Sequence, residues 1–509
     1  MASSFQSAIL TVLFSKVSIL ALSVLFTPLL VRLLGPTLYG QYAIILSVFA
    51  ITAIFMMSGT TEAVRKYVSE QDDVEWQVAV IKQTYQPAFL IGILAAVAFA
   101  LLAWSGVVAT LFGEAFTPLF YLLSAYAIGR QLRVHILWTL MGLQLESWSE
   151  PLKVVQKVVF VVLALTLVYI GYGVAGVLIA DIITSVMTVL IGGVLIGRHL
   201  PLTAFRNPPT VDLPIKQIRK YAVSTVIFYL FLMSLYHIDV LLLQIWVADR
   251  TVGYYKGALV IAEVLWVAPL AVQLALLQRV SSLWESGDIE TIEVRAQRVT
   301  YYVLLLTSLL ALGVGALAFD VVPLYLGESF TPAIVPLILL LPGVLGFAVA
   351  RPSLAINQAR RSLRPLLLAT GASSVLNVLL NLLLIPRYGM AGAAIATSIG
   401  YGSLVVFQSA IARDLGYQPL GGIRWGPTLA SVTVTAAVIV PLSVIITSPV
   451  LSLLIVPPIG ALVFAVCIFG LGAITFDELQ SLVDTVGVLP TRLERGLLVT
   501  VKRVTDLSK

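Results

Sequence analysis

Charge is scarce in this sequence. Asp, Glu, Lys and Arg make up only 11% of its 509 residues, too few to cover a soluble protein of that length. Cysteine is limited to Cys467, inside an apolar run, which excludes a disulfide framework and a thiolate metal site. No H-E-x-x-H, P-loop or G-x-S-x-G pattern is present, and the loops between apolar runs are short. Both absences argue against a membrane enzyme such as a glycan polymerase or glycosyltransferase. The formal charge is +6, but the basic residues lie between apolar runs and form no basic stripe, so no nucleic-acid partner is expected. Nothing basic precedes the first apolar stretch, which therefore reads as a first helix and not as a cleaved signal.

Hydrophobic residues fill this space, at 59% of the chain. Apolar windows bounded by charge, Pro and Gly lie near 8–33, 41–60, 87–111, 118–140, 152–170, 175–196, 221–247 and 253–277. More follow near 300–322, 333–356, 365–385, 391–412, 427–447 and 450–472. A helix needs roughly 20 apolar residues to cross the hydrocarbon. The expectation is an all-α polytopic membrane protein of about fourteen transmembrane helices. With the N-terminus placed in the cytoplasm, 26 of the 31 Lys and Arg fall on the inner side. Arg32, Arg250, Lys256 and Arg387 fall outside, and Lys16 lies in the first span. That bias follows the positive-inside rule and sets both termini in the cytoplasm.

A repeat is visible. Tyr172-Gly173-Val174-Ala175-Gly176 returns 216 residues later as Tyr388-Gly389-Met390-Ala391-Gly392, and Gly40-Gln41-Tyr42 matches Gly253-Tyr254-Tyr255 at nearly that offset. Each copy holds six spans, an even number, so both enter the membrane in the same orientation. The expected organisation is an N-terminal six-helix lobe at 1–196 and a proline-rich cytoplasmic linker at 197–220. A C-terminal six-helix lobe at 221–413, two further helices at 414–472 and a cytoplasmic tail at 473–509 follow. In the tail, Thr475 and Glu478 have capping-box spacing ahead of Leu479, Leu482 and Val483. It reads either as an amphipathic helix on anionic lipid or as a solvated segment.

Two segments are more specific. Arg32 to Tyr42 carries Gly35-Pro36 and Tyr39-Gly40-Gln41-Tyr42, and Asn377 to Thr397 carries Asn381, Pro386-Arg387-Tyr388-Gly389 and the small residues after it. Together they resemble the polysaccharide-biosynthesis (Wzx-type oligosaccharide flippase) branch of the multidrug/oligosaccharidyl-lipid/polysaccharide (MOP) transporter superfamily. The resemblance implies two six-helix lobes around a central cavity, alternating access, and a lipid-linked glycan as cargo, in a plasma-membrane protein acting as a monomer among membrane lipids. A cation-coupled multidrug exporter of the same superfamily is the alternative. Neither is an enzyme.

Charges inside apolar spans mark candidate sites, because each costs on the order of 3 kcal/mol in the bilayer. Asp239 is an acid in the seventh span, and Asn377 and Asn381 share one helix face at i, i+4. Thr397 adds a hydroxyl, and Ala393 a backbone oxygen, from the next helix. One carboxylate with neutral oxygens suits Na⁺. Similar polar sets bind Na⁺ in relatives that include lipid II flippases, which the resemblance implies here. Proton coupling through Asp239 or Glu263, and a purely structural hydrogen-bond pair, remain the other readings. For a phosphate-bearing headgroup the candidates are Lys16, Arg32, Arg65 and Arg351. Arg130, Arg133 and Asp181 are also intramembrane charges, without an assigned role. No cofactor is expected beyond Na⁺ or H⁺ as a coupling ion.

Overall fold

A computed structural model describes residues 2–57, 60–205, 215–360, 363–475, Glu478 and Gln480. Its helices run in order α1 (Ala2–Met57), α2 (Thr60–Val68), α3 (Val74–Trp104), α4 (Val107–Phe112), α5 (Thr117–Gly142), α6 (Glu146–Leu167), α7 (Gly173–His199) and α8 (Ile215–Trp246). The second half continues with α9 (Asp249–Glu263), α10 (Val267–Ser286), α11 (Ile289–Ala316), α12 (Ala318–Leu326), α13 (Ile334–Gln358), α14 (Arg364–Asp414), α15 (Trp425–Ile445) and α16 (Pro449–Gly470). The described secondary structure is all-helical, as hydrocarbon requires: a helix satisfies its own backbone where no water is available.

Ten stretches are long and apolar enough to cross a membrane, and three of them (Phe14–Met56, Glu146–His199 and Arg364–Asp414) are of double length. Each of those three bends at glycine, at Gly35, at Gly171 and Gly173, and at Gly389. Every apolar window read from the sequence coincides with a helix, a helix pair or one arm of a bent helix. One boundary moves. The third window was expected to open at Pro87, but α3 begins at Val74, and Pro87 lies inside it. Asp73 caps the true start by accepting a 2.9 Å hydrogen bond from the Trp76 amide. A proline within a membrane helix gives up one backbone bond without ending it.

The repeat is a repeat of backbone geometry. Gly173 has φ 53° and ψ −135°, and Gly389 has φ 55° and ψ −131°. These angles are open to glycine and strained for a residue with a Cβ. Three residues on, a Cβ at Gly176 would lie 2.9 Å from Leu167, and one at Gly392 would lie 2.3 Å from the Leu384 carbonyl. Both corners therefore fold the chain tightly back on its preceding helix. The structure also discloses a copy that the sequence reading missed. Gly113-Glu114-Ala115-Phe116-Thr117-Pro118 returns as Gly327-Glu328-Ser329-Phe330-Thr331-Pro332. Gly113 has φ 99° and ψ 159° and Gly327 φ 104° and ψ 157°. Each opens a 3-10 turn that inserts a fully buried phenylalanine, Phe116 or Phe330.

The chain divides into two compact units, one of residues 1–257 with 374–393, the other of 258–373 with 394–509. In the first, an apolar core gathers Val64, Tyr67, Trp76, Ile81, Leu140 and Ile196, from α2, α3, α5 and α7. In the second, Leu276, Val280, Ile292, Ile356 and Tyr417 form one core, and Leu304, Leu305, Val349 and Phe464 belong to another. Many large apolar side chains point away from these cores, among them Leu90 and Leu94 on α3, Leu379 on α14 and Leu462 on α16. That is the surface lipid requires. Of the expected linker, residues 206–214 lie outside the described residues, as do 481–509 of the tail. The tail's first turn is described: Glu478 accepts from the Thr475 amide at 2.8 Å, the expected capping-box bond.

Candidate functional site

The polar candidates come first. Asp239 of α8 is completely buried. One carboxylate oxygen accepts from the Tyr255 hydroxyl of α9, and the other accepts from the Val240 amide at 2.8 Å. Tyr255 was absent from the expected set. It is fully buried too, and only a long-range contact reveals its role. Asn377 and Asn381 are both buried, and the Asn381 amide donates to the Asn377 carbonyl at 2.9 Å. Among the described residues the side-chain oxygen of Asn381 has no hydrogen-bond partner. Asp239, Asn377, Asn381 and Ala393 belong to the first unit, and Thr397 and Glu263 to the second. Thr397 and Ala393 are buried, while Glu263 is half-buried at the end of α9. His237 leaves Asp239 alone and faces Ser47, 3.3 Å away.

Of the expected phosphate contacts, Lys16, Arg32 and Arg65 belong to the first unit and Arg351 to the second. Lys16 and Arg32 are exposed on α1. Arg65 is exposed on α2, with its guanidinium 4.7 Å from the Trp138 ring centroid. Arg351 of α13 is only 5% exposed. It donates to Gln273 at 2.8 Å and lies 4.7 Å from the Phe347 and 5.2 Å from the Trp266 ring centroid. This is a packed cation–π environment.

A different group of charges meets in the first unit. Arg133 of α5 donates to Asp181 of α7 at 2.8 Å, with both side chains under 10% exposed. Arg130, one turn earlier, reaches the same carboxylate oxygen at 3.7 Å, and its side chain is 37% exposed. Lys157 of α6 points its ammonium at the faces of Phe26 and Phe160, at 5.3 and 5.4 Å. Asp181, Arg130 and Arg133 are the charged groups within electrostatic reach of Lys157. Two arginines thus converge on one carboxylate, with a third cation, Lys157, within electrostatic reach of it. Sequence reasoning found Arg130, Arg133 and Asp181 as intramembrane charges but passed over Lys157, although a lysine within the 152–170 window was the available signal.

A fourth feature lies at the matching glycines. A Cβ on Gly40 would fall 1.9 Å from the Asp249 carbonyl oxygen, and a Cβ on Gly253 would fall 1.9 Å from the Pro36 carbonyl oxygen. Position 249 is to 36 as 253 is to 40, so the contact is reciprocal, as across a two-fold axis. Gln41 and Gln244 close it, each donating to one oxygen of Asp249, at 2.9 and 2.8 Å. The repeat thus meets its own copy, backbone against backbone, with glycine on both sides.

Residues 6–277, just over half of the chain, match the family described as polysaccharide biosynthesis protein. The chain belongs to that family. The polysaccharide biosynthesis family member matches an uncharacterized membrane protein of Methanocaldococcus jannaschii at 23% identity over 276 residues. That match covers 53% of this chain and 54% of the relative, so the chain spans about half the length of the curated relative it matches. Among solved structures it resembles the lipid II flippase MurJ in an inward closed conformation, with a TM-score of 0.63 at 14% identity over 90% of this chain and 97% of that one. An inward-facing multidrug resistance transporter of the MATE family has a TM-score of 0.63 at 16% identity over 77% and 94% of the two chains. A MOP superfamily transporter of Pyrococcus furiosus has a TM-score of 0.60 at 14% identity over 80% and 95%. This family member is a multi-pass membrane protein with the fold of the MOP transporters and flippases.

Proposed function

We propose that the chain is a flippase that moves a lipid-linked oligosaccharide, on a polyprenyl- or dolichyl-phosphate-type carrier, from the cytoplasmic to the outer leaflet. The observation that carries this reading is the excess of cations over carboxylates at Arg130, Arg133, Asp181 and Lys157 in the membrane interior. An anionic headgroup suits that excess, and a cationic drug does not. Family membership and a fold like that of a lipid II flippase support it. The protein works in the plasma membrane as a monomer with both termini cytoplasmic. Its lobes at 1–196 and 221–413 work by alternating access. Cytoplasmic assembly of the carrier-linked glycan precedes this step, and cell-surface polysaccharide or glycoprotein synthesis consumes its product.

The coupling ion is Na⁺, held within the first unit by Asp239, Asn377, Asn381 and the Ala393 carbonyl. The orphaned oxygen of Asn381 supports Na⁺ over H⁺, because a proton needs no neutral ligand set. Proton coupling through Asp239 or Glu263 is the competing arrangement.

The test is translocation of labelled lipid-linked glycan in proteoliposomes, with efflux of a cationic dye measured in parallel. Glycan movement without dye movement is expected. Dye efflux without glycan movement would establish the alternative, cation-coupled multidrug export.

A further inference from the structure

We propose that Arg130, Arg133 and Lys157 form a subsite for the phosphate or diphosphate group of an amphipathic carrier, with Asp181 as an internal counter-ion that one arginine already satisfies. This subsite rests on the flippase reading and consists of residues other than Lys16, Arg32, Arg65 and Arg351.

The argument begins with what an ion pair between α5 and α7 requires. Arg133 and Asp181, 2.8 Å apart, are neutral as a pair and bridge the two helices unaided. Arg130 and Lys157 exceed that need. Placing a further cation in hydrocarbon costs several kcal/mol unless an anion or a polar phase meets it. Two such cations beside one settled pair therefore describe a binding site better than a brace.

The hydrogen bonding agrees. Arg130 is 3.7 Å from its carboxylate oxygen, beyond hydrogen-bond length, and its Nε is buried with no partner. The second carboxylate oxygen of Asp181 is also buried and without a partner. Among the described residues Lys157 meets the faces of Phe26 and Phe160, which hold an ammonium more weakly than an anionic oxygen does. Tyr42 and Tyr126 lie within electrostatic reach of Arg130 and bring hydroxyl donors. One buried network of the second unit is closed. Asn357 donates to Gln408 at 2.8 Å and accepts from Tyr417 at 2.8 Å, and Gln408 reaches Thr370. At the basic cluster, by contrast, Arg130 and Asp181 each keep one open valence among the described residues.

The ligand chemistry follows from geometry and charge. Arg133 is shielded, whereas Arg130 has a side chain 37% exposed and Lys157 is half-buried, so an anion approaches along the Arg130–Lys157 edge. The charge to be met is about two, which matches a phosphate monoester or a diphosphate. A guanidinium fork with an adjacent ammonium is the donor set such a group takes.

The test uses the purified full-length protein in a neutral detergent and farnesyl diphosphate as the probe, with binding read by calorimetry. Farnesol, inorganic diphosphate and phosphatidylglycerol are the comparison ligands. Arg130→Gln and Lys157→Gln should each weaken farnesyl diphosphate roughly tenfold, with Arg130→Lys recovering part of the loss. Arg387→Gln, an equal loss of charge at an exposed corner, should change nothing. Comparable binding of inorganic diphosphate, equally sensitive to both variants, supports the anion site and identifies the phosphate alone as what it reads. Unchanged affinity in both Gln variants overturns the proposal, as does phosphatidylglycerol binding as tightly as farnesyl diphosphate. Translocation separates this from the broader reading. Normal binding in the variants with glycan flipping intact removes the subsite and leaves the flippase. Variant-sensitive binding in a protein that flips no glycan retains the subsite and removes the flippase.

Discussion

Gly173 and Gly389 turn the chain through nearly identical angles, yet eight residues later the first copy has Asp181 and the second Thr397. The difference extends through both copies. Counting from Gly113 and Gly327, Arg130 and Arg133 correspond to Val344 and Phe347. Counting from Gly173 and Gly389, Asn377 and Asn381 correspond to Val161 and Leu165. The repeat preserves its corners, its 3-10 turns and their buried phenylalanines, while the polar residues go their own way. A scaffold needs the former and tolerates apolar residues at the latter. The first copy has gathered cations around one acid, and the second carries amides and a hydroxyl. This asymmetry is the best argument that the intramembrane polar residues serve binding.

The largest effect expected from breaking the comparison is at Arg133. Replacing it with Met leaves Asp181 buried with a distant partner, a loss of about 3–5 kcal/mol. Adding Asp181→Asn should restore much of that loss, since a neutral site is what the second copy has. Thermal unfolding in detergent measures both, and a double variant less stable than Arg133→Met alone would refute the pairing. Next come the glycines where the copies meet. Gly40→Ala or Gly253→Ala places a methyl 1.9 Å from a carbonyl oxygen and should cost about 1–3 kcal/mol of overpacking. The double variant should fall short of the sum, because both act on one contact. Additive losses in the same unfolding assay would show that the two positions are independent.

A smaller effect belongs to Asp239. Tyr255→Phe removes the hydroxyl that donates to it and should cost about 1–3 kcal/mol, while Na⁺ should restabilise the variant if the carboxylate is a ligand. The smallest lies outside both copies, where Arg424 makes a two-pronged pair with Glu478 at 2.7 and 2.9 Å. Burial pushes the Glu478 carboxyl up, but the hydrogen bonds from Arg424 and Thr475 outweigh it and hold it below its ordinary value. A depressed carboxyl stabilises above its unfolded pKa and loses that contribution as pH falls through the folded one. Protease access to the tail should therefore rise below about pH 4 and be insensitive to pH in Glu478→Gln.

The sequence made helices and corners legible because hydropathy and glycine act locally. Pro87 misled for the same reason, since a membrane helix continues through a proline that would end a soluble one. The site was harder to read. A helix apolar on every side does not announce which face meets protein, so Arg351, packed under Phe347 and Trp266, looked as available as Arg130. Lys157 escaped notice because its stem lies within an apolar run and its ammonium rests on two rings. Tyr255 was hidden because its partner, Asp239, comes from another helix. Gly113 and Gly327 stood in view and needed only a search at a slightly different offset.

One pair of measurements on one preparation tests the division between copies most directly: farnesyl diphosphate affinity and Na⁺-dependent thermal stabilisation, in Arg130→Gln and in Asp239→Asn. The account expects Arg130→Gln to lose affinity for the diphosphate and keep its response to Na⁺. It expects Asp239→Asn to keep the diphosphate and lose the response. Either variant losing both, or each losing the other's property, would contradict it.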